Sequence, residues 1–251
     1  MSTVATSTCV SYLVCATPRS GSSFLCEVLS NTGVAGRPDD YFWNPPFWFA
    51  RWVVTDFSGF ADRLLREGTT SNGVFGSKLM RDQLGDVATQ FASFLGLGEA
   101  PPPQVLAAAF PDLHYIWLTR RDKVRQGISY YRAMETKVWR STDVYKVAQV
   151  RPSFNFEAIQ SLVHLCTWED DAWQDYFREH AIEPCKVVYE DLLESPRRRR
   201  STGAQLPAHT SPGSVVRRRR MAAPAPIRRN LRGVARTLSG AGERQLTLAA
   251  A

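Results

Sequence analysis

The fold is decided by the stretch Tyr12-Leu-Val-Cys-Ala-Thr-Pro-Arg-Ser-Gly-Ser-Ser-Phe-Leu25 near the start of the chain. Its apolar part, Leu13 to Ala16, predicts a buried strand that Pro18 brings to an end. Ser20 to Ser23 predict a tight turn, because small residues favour turns. Four apolar residues at helical spacing then predict a helix with one buried side: Phe24, Leu25, Val28 and Leu29.

A strand, a turn of small residues and a helix N-terminus together predict an anion site. Unpaired backbone N–H groups point outward at such a turn, and the helix dipole adds positive potential. Arg19 adds forked donors, and Ser22 and Ser23 add hydroxyls. The loop differs from that of nucleoside-triphosphate-binding proteins, because no Lys follows Gly21 and the leading Gly is absent. The pattern therefore predicts phosphate binding without a metal, with an ordinary strand-to-helix turn as the alternative.

The composition predicts a cytoplasmic globular protein. The 251 residues are 44% hydrophobic and include 7 Trp, 8 Tyr and 13 Phe, which suffices for a substantial core. No apolar run reaches the length of a membrane span, and no positive charge precedes Arg19, as a secretory signal would require. The five cysteines are scattered, without metal or disulfide spacing, and suit a reducing compartment.

The net charge of +7 conceals two unlike parts of the chain. Residues 1–196 hold 18 basic residues, 23 acidic residues and every aromatic residue. Residues 197–251 hold 13 Arg, no Lys and a single acid, Glu243. We therefore expect a globular domain over 1–196 and a basic tail over 197–251. The tail has too few large apolar side chains to fold alone, which predicts disorder.

Three further strands are expected, at Val74–Met80, Leu113–Arg120 and Pro184–Glu190. Helices are expected between and around them, the longest at Phe156–His180, and Asp122 is the expected N-cap of the helix after the third strand. Strands that alternate with helices predict an α/β fold, with a mainly parallel central sheet and helices on both faces.

Two proline-containing segments are expected to lack regular structure. Pro45-Pro46 interrupts the aromatic segment Phe42-Trp-Asn-Pro-Pro-Phe-Trp-Phe49, and Pro101-Pro102-Pro103 predicts a loop. The aromatic segment itself could line a pocket or cap the core, and the sequence leaves both possibilities open.

Basic and anion-binding groups lie at the ends of three of the predicted strands. Ligands on parallel sheets bind at the carboxyl ends of strands, and that edge collects Arg19 to Ser23, Lys78, and Arg120 to Lys123. Three such strand ends predict a ligand with several anionic groups, and Arg121 with Ser129 could hold a second phosphate. No cluster of His, Cys, Asp and Glu has metal-ligand spacing, so no metal is expected.

These residues resemble those of a known family. Thr17-Pro-Arg-Ser-Gly-Ser-Ser-Phe-Leu25 resembles the 5′-phosphosulfate loop of sulfotransferases, and Arg121 with Ser129 resembles their 3′-phosphate site. Three further blocks resemble the bacterial trehalose 2-sulfotransferase family. They are Gly33-Val-Ala-Gly-Arg-Pro-Asp-Asp-Tyr-Phe42, Gly73-Val-Phe-Gly-Ser-Lys-Leu-Met80 and Thr136-Lys-Val-Trp-Arg140. The blocks occur in matching order over about residues 10–195.

The resemblance implies a P-loop-like sulfotransferase fold and a metal-free transfer from 3′-phosphoadenylyl sulfate to a carbohydrate hydroxyl. It implies donor binding by Ser20, Gly21, Ser22, Ser23, Arg121 and Ser129, and catalytic roles for Arg19 and Lys78, with Arg19 also in the donor site. It places a Glu base where this chain has Asp40, which is one methylene shorter. It also suggests a homodimer.

The tail departs from the family pattern, which ends in a Ser-x-Glu-Trp-type helix. A nucleic-acid arm, a localisation signal, a disordered linker and a reading-frame error all remain open for it. Arginine runs without Lys or aromatics disfavour nucleic-acid binding. Synonymous codons for residues 230–244 can be chosen so that the frame one base later encodes Thr-Ser-Glu-Glu-Trp, which resembles the missing helix. We therefore hypothesise a frameshift near Pro196, which sequencing of the gene would test.

Three functions remain open from the sequence, the weakest being a nucleic-acid-binding protein that uses the arginine-rich tail over 197–251. The first is a sulfotransferase that acts on a sugar. The second is a catalytically impaired nucleotide-binding remnant, since loss of the family's C-terminal part would remove a portion of the nucleotide site.

Overall fold

The computed structural model describes residues 8–140 and 152–193. The expectations for the tail over 197–251, including its disorder and its reading frame, lie outside these residues. Four parallel strands form one sheet in the order β2-β1-β3-β4. The strands are β1 (Val10–Ala16), β2 (Val74–Met80), β3 (Leu113–Thr119) and β4 (Cys185–Val188). The predicted α/β class with a parallel central sheet is confirmed.

Helices connect and follow these strands. In chain order they are α1 (Ser22–Ser30), α2 (Pro45–Trp52), α3 (Phe57–Gly68), α4 (Leu84–Leu95), α5 (Pro102–Ala109), α6 (Lys123–Thr136), α7 (Phe156–Glu179) and α8 (Tyr189–Leu193). A 3₁₀ turn at Arg81–Gln83 joins β2 to α4. Within the described ranges, none of the helices combines the length and apolar character that crossing a bilayer would demand.

The central strand β1 is buried on both faces, which explains its continuous apolar run. Leu13 and Cys15 face a core that contains residues of α3, α4, α5 and α7. Tyr12 and Val14 face the opposite core, to which α1 contributes Leu25 and α8 contributes Leu192. Helices therefore cover both faces of the sheet, as predicted.

Both expectations of irregular structure at proline were wrong. Pro45 and Pro46 begin α2, and Pro102 and Pro103 begin α5. Proline is compatible with the first turn of a helix, because the N–H groups there have no intrahelical partner to lose. The prolines therefore start helices rather than preventing them.

The last predicted strand was too long. β4 ends at Val188, and Tyr189 and Glu190 begin α8 instead. This change matters for the site, because Glu190 then accepts hydrogen bonds from the backbone N–H groups of Arg121 and Asp122, at 3.1 and 3.2 Å. The short helix α8 is thereby fixed against the loop that follows β3.

Candidate functional site

The turn after β1 leads directly into α1. Gly21 is the N-cap of α1 with φ +97°, and no side chain of the described residues caps this end. The first backbone N–H groups of a helix have no intrahelical partner. A Cβ on Gly21 would overlap the ring of Tyr189, so the close approach of α8 requires glycine here. The turn thus presents donors where an anion would be stabilised.

Two buried polar side chains hold this turn in place. The hydroxyl of Ser20 donates to the carbonyl of Thr17 at 2.8 Å. Gln126 of α6 is fully buried and donates to the Thr17 hydroxyl at 2.8 Å and to the Pro18 carbonyl at 2.7 Å. Ser20 therefore shapes the loop with its side chain, and Gln126 fixes the loop to α6. Sequence analysis did not single out Gln126.

Arg19 extends from the turn toward α6. Its Nε donates to the Ser129 hydroxyl at 3.0 Å, and its Nη1 donates to the carbonyl of Trp139. The Arg19 carbonyl in turn accepts from Arg120 Nη1 at 3.1 Å. Burial, followed by the nearby Arg120 charge, lowers the pKa of Arg19. Two guanidinium groups held this close would gain from an anion between them.

A cavity of about 910 Å³ opens beside Arg19. Arg19 and Ser129 line it, and so do three further arginines: Arg120, Arg125 and Arg132. Arg125, Ser129 and Arg132 lie at i, i+4 and i+7 of α6, so they share one face of that helix. Four guanidinium groups in one cavity make it suitable for a ligand with more than one anionic group.

Arg121 is placed differently from Arg19 and Ser129, although all three were predicted to bind the donor. Its Nη2 lies 2.7 Å from both carboxylate oxygens of Asp191 in α8. The two side chains are 58% and 45% exposed, so this ion pair contributes little free energy. The structure thus brings Ser129 to Arg19, while Arg121 engages a carboxylate on α8.

Lys78 and Asp40 form a shielded ion pair at the edge of the sheet. Lys78 Nζ lies 2.8 Å from Asp40 Oδ2, and the two side chains are 4% and 19% exposed. The second carboxylate oxygen, Asp40 Oδ1, is buried and has no hydrogen-bond partner among the described residues. A buried acceptor without a partner is unusual and indicates a position where a ligand hydroxyl could donate.

The loop that carries Asp40 is held along the edge of β2. The Lys78 N–H donates to the Asp39 carbonyl at 3.0 Å. Asp39 Oδ1 accepts from the Asp40 N–H at 2.8 Å and from Arg140 Nη2 at 2.8 Å. At the start of the loop, Arg37 donates to the last carbonyls of α3, including that of Glu67 at 2.8 Å. These contacts fix the position of Asp40 relative to Lys78.

Two acids of α7 contribute groups that sequence analysis missed. Asp170 is 8% exposed and accepts from Trp117 Nε1 at 3.1 Å and from Lys123 Nζ at 2.7 Å. It therefore joins the middle of α7 to the end of β3 and to the start of α6. Glu169 is 5% exposed, and its Oε2 has no partner in the described part of the chain. Burial and then the Asp82 charge raise the pKa of Glu169 to about 7.

The site therefore combines two different chemistries. A helix N-terminus and four arginines can bind and stabilise negative charge. A shielded carboxylate with one unpartnered oxygen can accept a proton. Across residues 8–140 and 152–193, no group of three or more His, Cys, Asp or Glu side chains is arranged to hold a metal ion.

The sequence is similar to proteins of known activity. The family model described as Stf0 sulphotransferase matches residues 11–206. The trehalose 2-sulfotransferase of Mycolicibacterium smegmatis is 30% identical over 207 residues, which cover 71% of this chain and 76% of the relative. The trehalose 2-sulfotransferase of Mycobacterium tuberculosis is 30% identical over 215 residues, with the same two shares.

Proposed function

The chain belongs to the Stf0 sulphotransferase family of enzymes, and we propose that it transfers a sulfuryl group from 3′-phosphoadenylyl sulfate to a carbohydrate hydroxyl. The observation that carries this proposal is the shielded Asp40–Lys78 pair with its unpartnered oxygen. Lys78 lies in β2, next to β1, and the turn after β1 is the one that we expect to bind an anion. The names of the two similar proteins support a sugar as the acceptor.

The arginine-lined cavity would hold the donor. Its volume of about 910 Å³ suits a nucleotide, and its arginines match the phosphates in charge. The turn over Ser20–Ser23 would bind the 5′-phosphosulfate through backbone N–H groups, as helix N-termini bind anions elsewhere. Ser129 and the other groups of the α6 face would lie along the rest of the nucleotide.

Arg121 would bind the 3′-phosphate by exchanging one anionic partner for another. Its present partner, Asp191, belongs to an exposed ion pair of small net value. A phosphate carries more charge and more acceptor oxygens than a carboxylate. Donor binding would therefore release Asp191 and move the Arg121 side chain toward the nucleotide.

Asp40 would act as the general base. Its Oδ1 would accept the proton of the acceptor hydroxyl while the oxygen of that hydroxyl forms the new bond to sulfur. The bond from sulfur to the bridging phosphate oxygen would break in line with the attack. Adenosine 3′,5′-bisphosphate would then leave with the negative charge. Arg19, Lys78 and the backbone N–H groups of α1 would stabilise charge on the transferring and leaving oxygens.

A nucleotide-binding remnant remains the second candidate function. It is favoured by Asp40, since Asp is shorter than the Glu that the family uses as base, and by the unusual composition of residues 197–251. This candidate predicts that adenosine 3′,5′-bisphosphate binds while no sulfate is transferred.

A screen of acceptors separates the two candidates. The full chain would be incubated with donor labelled in its sulfate and with single sugars, among them trehalose and glucose, and nucleotide binding would be measured in parallel by calorimetry. Labelled sugar together with nucleotide binding supports the proposal. Nucleotide binding without labelled product from any sugar supports the remnant instead.

A further inference from the structure

A short segment after α6 contacts both the anion-binding turn and the loop of Asp40. Helix α6 ends at Thr136, and Lys137 follows in a left-handed backbone conformation with φ +57°. Thr136 and Val138 contribute to the wall of the cavity beside Arg19. We call residues 136–140 the strap, because its last two residues tie the two parts of the site together.

Trp139 connects the strap to Arg19. Its carbonyl accepts a hydrogen bond from Arg19 Nη1, while Arg19 Nε donates to the Ser129 hydroxyl at 3.0 Å. The Trp139 ring packs edge-on against Tyr130 of α6, with ring centroids 5.9 Å apart. A guanidinium has five N–H groups, so Arg19 can make both contacts and still donate to an anion. The strap and α6 together therefore orient Arg19 for a ligand.

Arg140 connects the strap to the loop of the proposed base. Arg140 Nη2 lies 2.8 Å from Asp39 Oδ1, which also accepts from the Asp40 N–H at 2.8 Å. The Asp39 carbonyl accepts from the Lys78 N–H of β2 at 3.0 Å. The Arg140 and Asp39 side chains are 47% and 41% exposed, so their ion pair adds little to the stability of the fold. The pair therefore holds the residue next to the base without being required for folding.

The charge of Arg140 also reaches Asp40. Burial acts to lower the pKa of Arg140, but the charge of Asp39, its hydrogen bond and the charge of Asp40 raise that pKa, and the net shift is upward. Trp139 and Arg140 are consecutive, and consecutive Cα atoms lie only about 3.8 Å apart. A displacement of the strap at one of its two contacts is therefore passed to the other.

We propose that Arg140 positions the base Asp40 through Asp39, and that the strap passes the effect of donor binding from Arg19 to that base. The inference rests on the proposed function and goes beyond it by coupling the two halves of the site. An anion in the cavity fixes the Arg19 guanidinium, which fixes the Trp139 carbonyl and with it Arg140. The base loop is then ordered when the donor is in place. Because Arg140 acts through Asp39, it is a positioning residue rather than a catalytic residue.

Substitution of Arg140 in the full chain tests the positioning role. Arg140→Met removes the guanidinium, and Arg140→Lys keeps a charge that can still pair with one carboxylate oxygen. Arg178→Met breaks an exposed ion pair with Asp175 on α7 and is the matched control. The kcat for sulfate transfer to trehalose and the dissociation constant of adenosine 3′,5′-bisphosphate are measured, and unfolding in urea verifies that each variant folds.

Arg140→Met is expected to lower kcat roughly two- to fivefold, the size that an exposed ion pair allows, at an unchanged nucleotide dissociation constant. Arg140→Lys should recover part of the loss, and Arg178→Met should behave as the wild type. A wild-type kcat in Arg140→Met, or an effect on nucleotide binding alone, would overturn the positioning role.

A double substitution tests whether Arg140 acts through Asp39. If it does, Arg140→Met combined with Asp39→Ala should have the same kcat as Asp39→Ala alone, since the contact is already lost. If the two losses multiply instead, Arg140 acts independently of Asp39 and the proposed path is wrong.

Amide hydrogen exchange measures the coupling without any sulfate transfer. Adenosine 3′,5′-bisphosphate should slow exchange in residues 19–25 of the wild type and also in the base loop, residues 37–42. In Arg140→Met the slowing should remain in 19–25 and be lost from 37–42. Slowing confined to 19–25 in the wild type would overturn the coupling.

The two measurements separate the strap from the proposed function. If no sugar is sulfated but the nucleotide slows exchange in 37–42 only when Arg140 is present, the strap stands and the proposed function fails. If trehalose is sulfated equally well by Arg140→Met and exchange in 37–42 ignores the nucleotide, the function stands and the strap is wrong. A wild type that binds no nucleotide overturns both.

Discussion

The ammonium of Lys78 lies 2.8 Å from one carboxylate oxygen of Asp40, and both side chains are largely shielded from water. The pair joins the fifth residue of β2 to the loop that runs beside it. Lys78 is 3% exposed, so its charge is compensated mainly by this partner. The position of the proposed base is therefore tied to the stability of the sheet edge.

Lys78→Met should destabilise the fold by about 3–5 kcal/mol, because it leaves the Asp40 carboxylate buried without its partner. Adding Asp40→Asn should recover part of this loss, since no unpaired charge then remains. The free energy of unfolding in urea measures both effects. Arg63→Met, which breaks an exposed i,i+4 pair with Glu67, is the control and should cost less than about 1 kcal/mol. If Lys78→Met and Arg63→Met lower the free energy of unfolding equally, the Lys78–Asp40 pair is not shielded from water.

Gly21→Ala should destabilise the fold by about 1–3 kcal/mol, because φ +97° strains any residue with a Cβ and the Tyr189 ring occupies the space. Gly85→Ala is the matched control. Gly85 lies in α4, and a Cβ added there would meet open space, so alanine should stabilise the helix by about 0.5–1 kcal/mol. Urea unfolding of both variants gives the comparison. A neutral Gly21→Ala would show that α8 does not hold the turn.

Arg19→Ala should weaken the binding of adenosine 3′,5′-bisphosphate by roughly 10–100-fold, the size of a lost charge-assisted hydrogen bond. Arg19→Lys should recover only part of the affinity, since an ammonium cannot reach the Ser129 hydroxyl and a phosphate with the same forked geometry. Isothermal titration calorimetry measures these constants. Arg63→Ala removes an exposed arginine outside the cavity and should leave the affinity unchanged.

Glu169→Gln should stabilise the protein at pH 8 but have little effect near pH 4. Burial, followed by the Asp82 charge, raises the pKa of Glu169 from 4.5 to about 7, so the folded state binds this proton more tightly than the unfolded state. The wild type thus loses stability as pH rises from about 4.5 through 7, by up to about 3 kcal/mol.

Urea unfolding at a series of pH values tests this prediction. Glutamine does not ionise, so the difference in the free energy of unfolding between the variant and the wild type should grow with pH and then level off. Glu179→Gln, on the exposed end of α7, provides the surface control. If the difference in unfolding free energy between Glu169→Gln and the wild type does not change with pH, Glu169 is solvated in the folded state.

The first three strands were predictable because their apolar runs are mostly buried, whereas β4 is partly exposed. β2 has the predicted bounds, and Asp122 caps α6 as expected, with its side chain accepting from the Arg125 N–H at 2.8 Å. The starts of α2 and α5 were not predictable from proline alone, because proline both ends helices and occupies their first turn. The end of β4 depends on contacts with the loop after β3, which no local pattern contains.

The candidate site was predictable where it lies at or near the carboxyl ends of strands. Arg19 and Lys78 were found in this way, and their roles stay predictions until they are tested. Gln126, Glu169 and Asp170 were missed, because their contacts arise from the packing of α6 and α7 over the sheet. Likewise, the pairing of Arg121 with Asp191 depends on α8, whose first two residues the sequence predicted as the end of a strand.

Sulfate transfer by the wild type and by Asp40→Asn tests the central claim most directly. Donor labelled in its sulfate is mixed with trehalose and the full chain, and labelled sugar and released adenosine 3′,5′-bisphosphate are both counted. The account predicts equal amounts of the two products from the wild type. It also predicts a rate at least about 100-fold lower in Asp40→Asn, at unchanged nucleotide affinity. Transfer by Asp40→Asn at the wild-type rate would contradict the account.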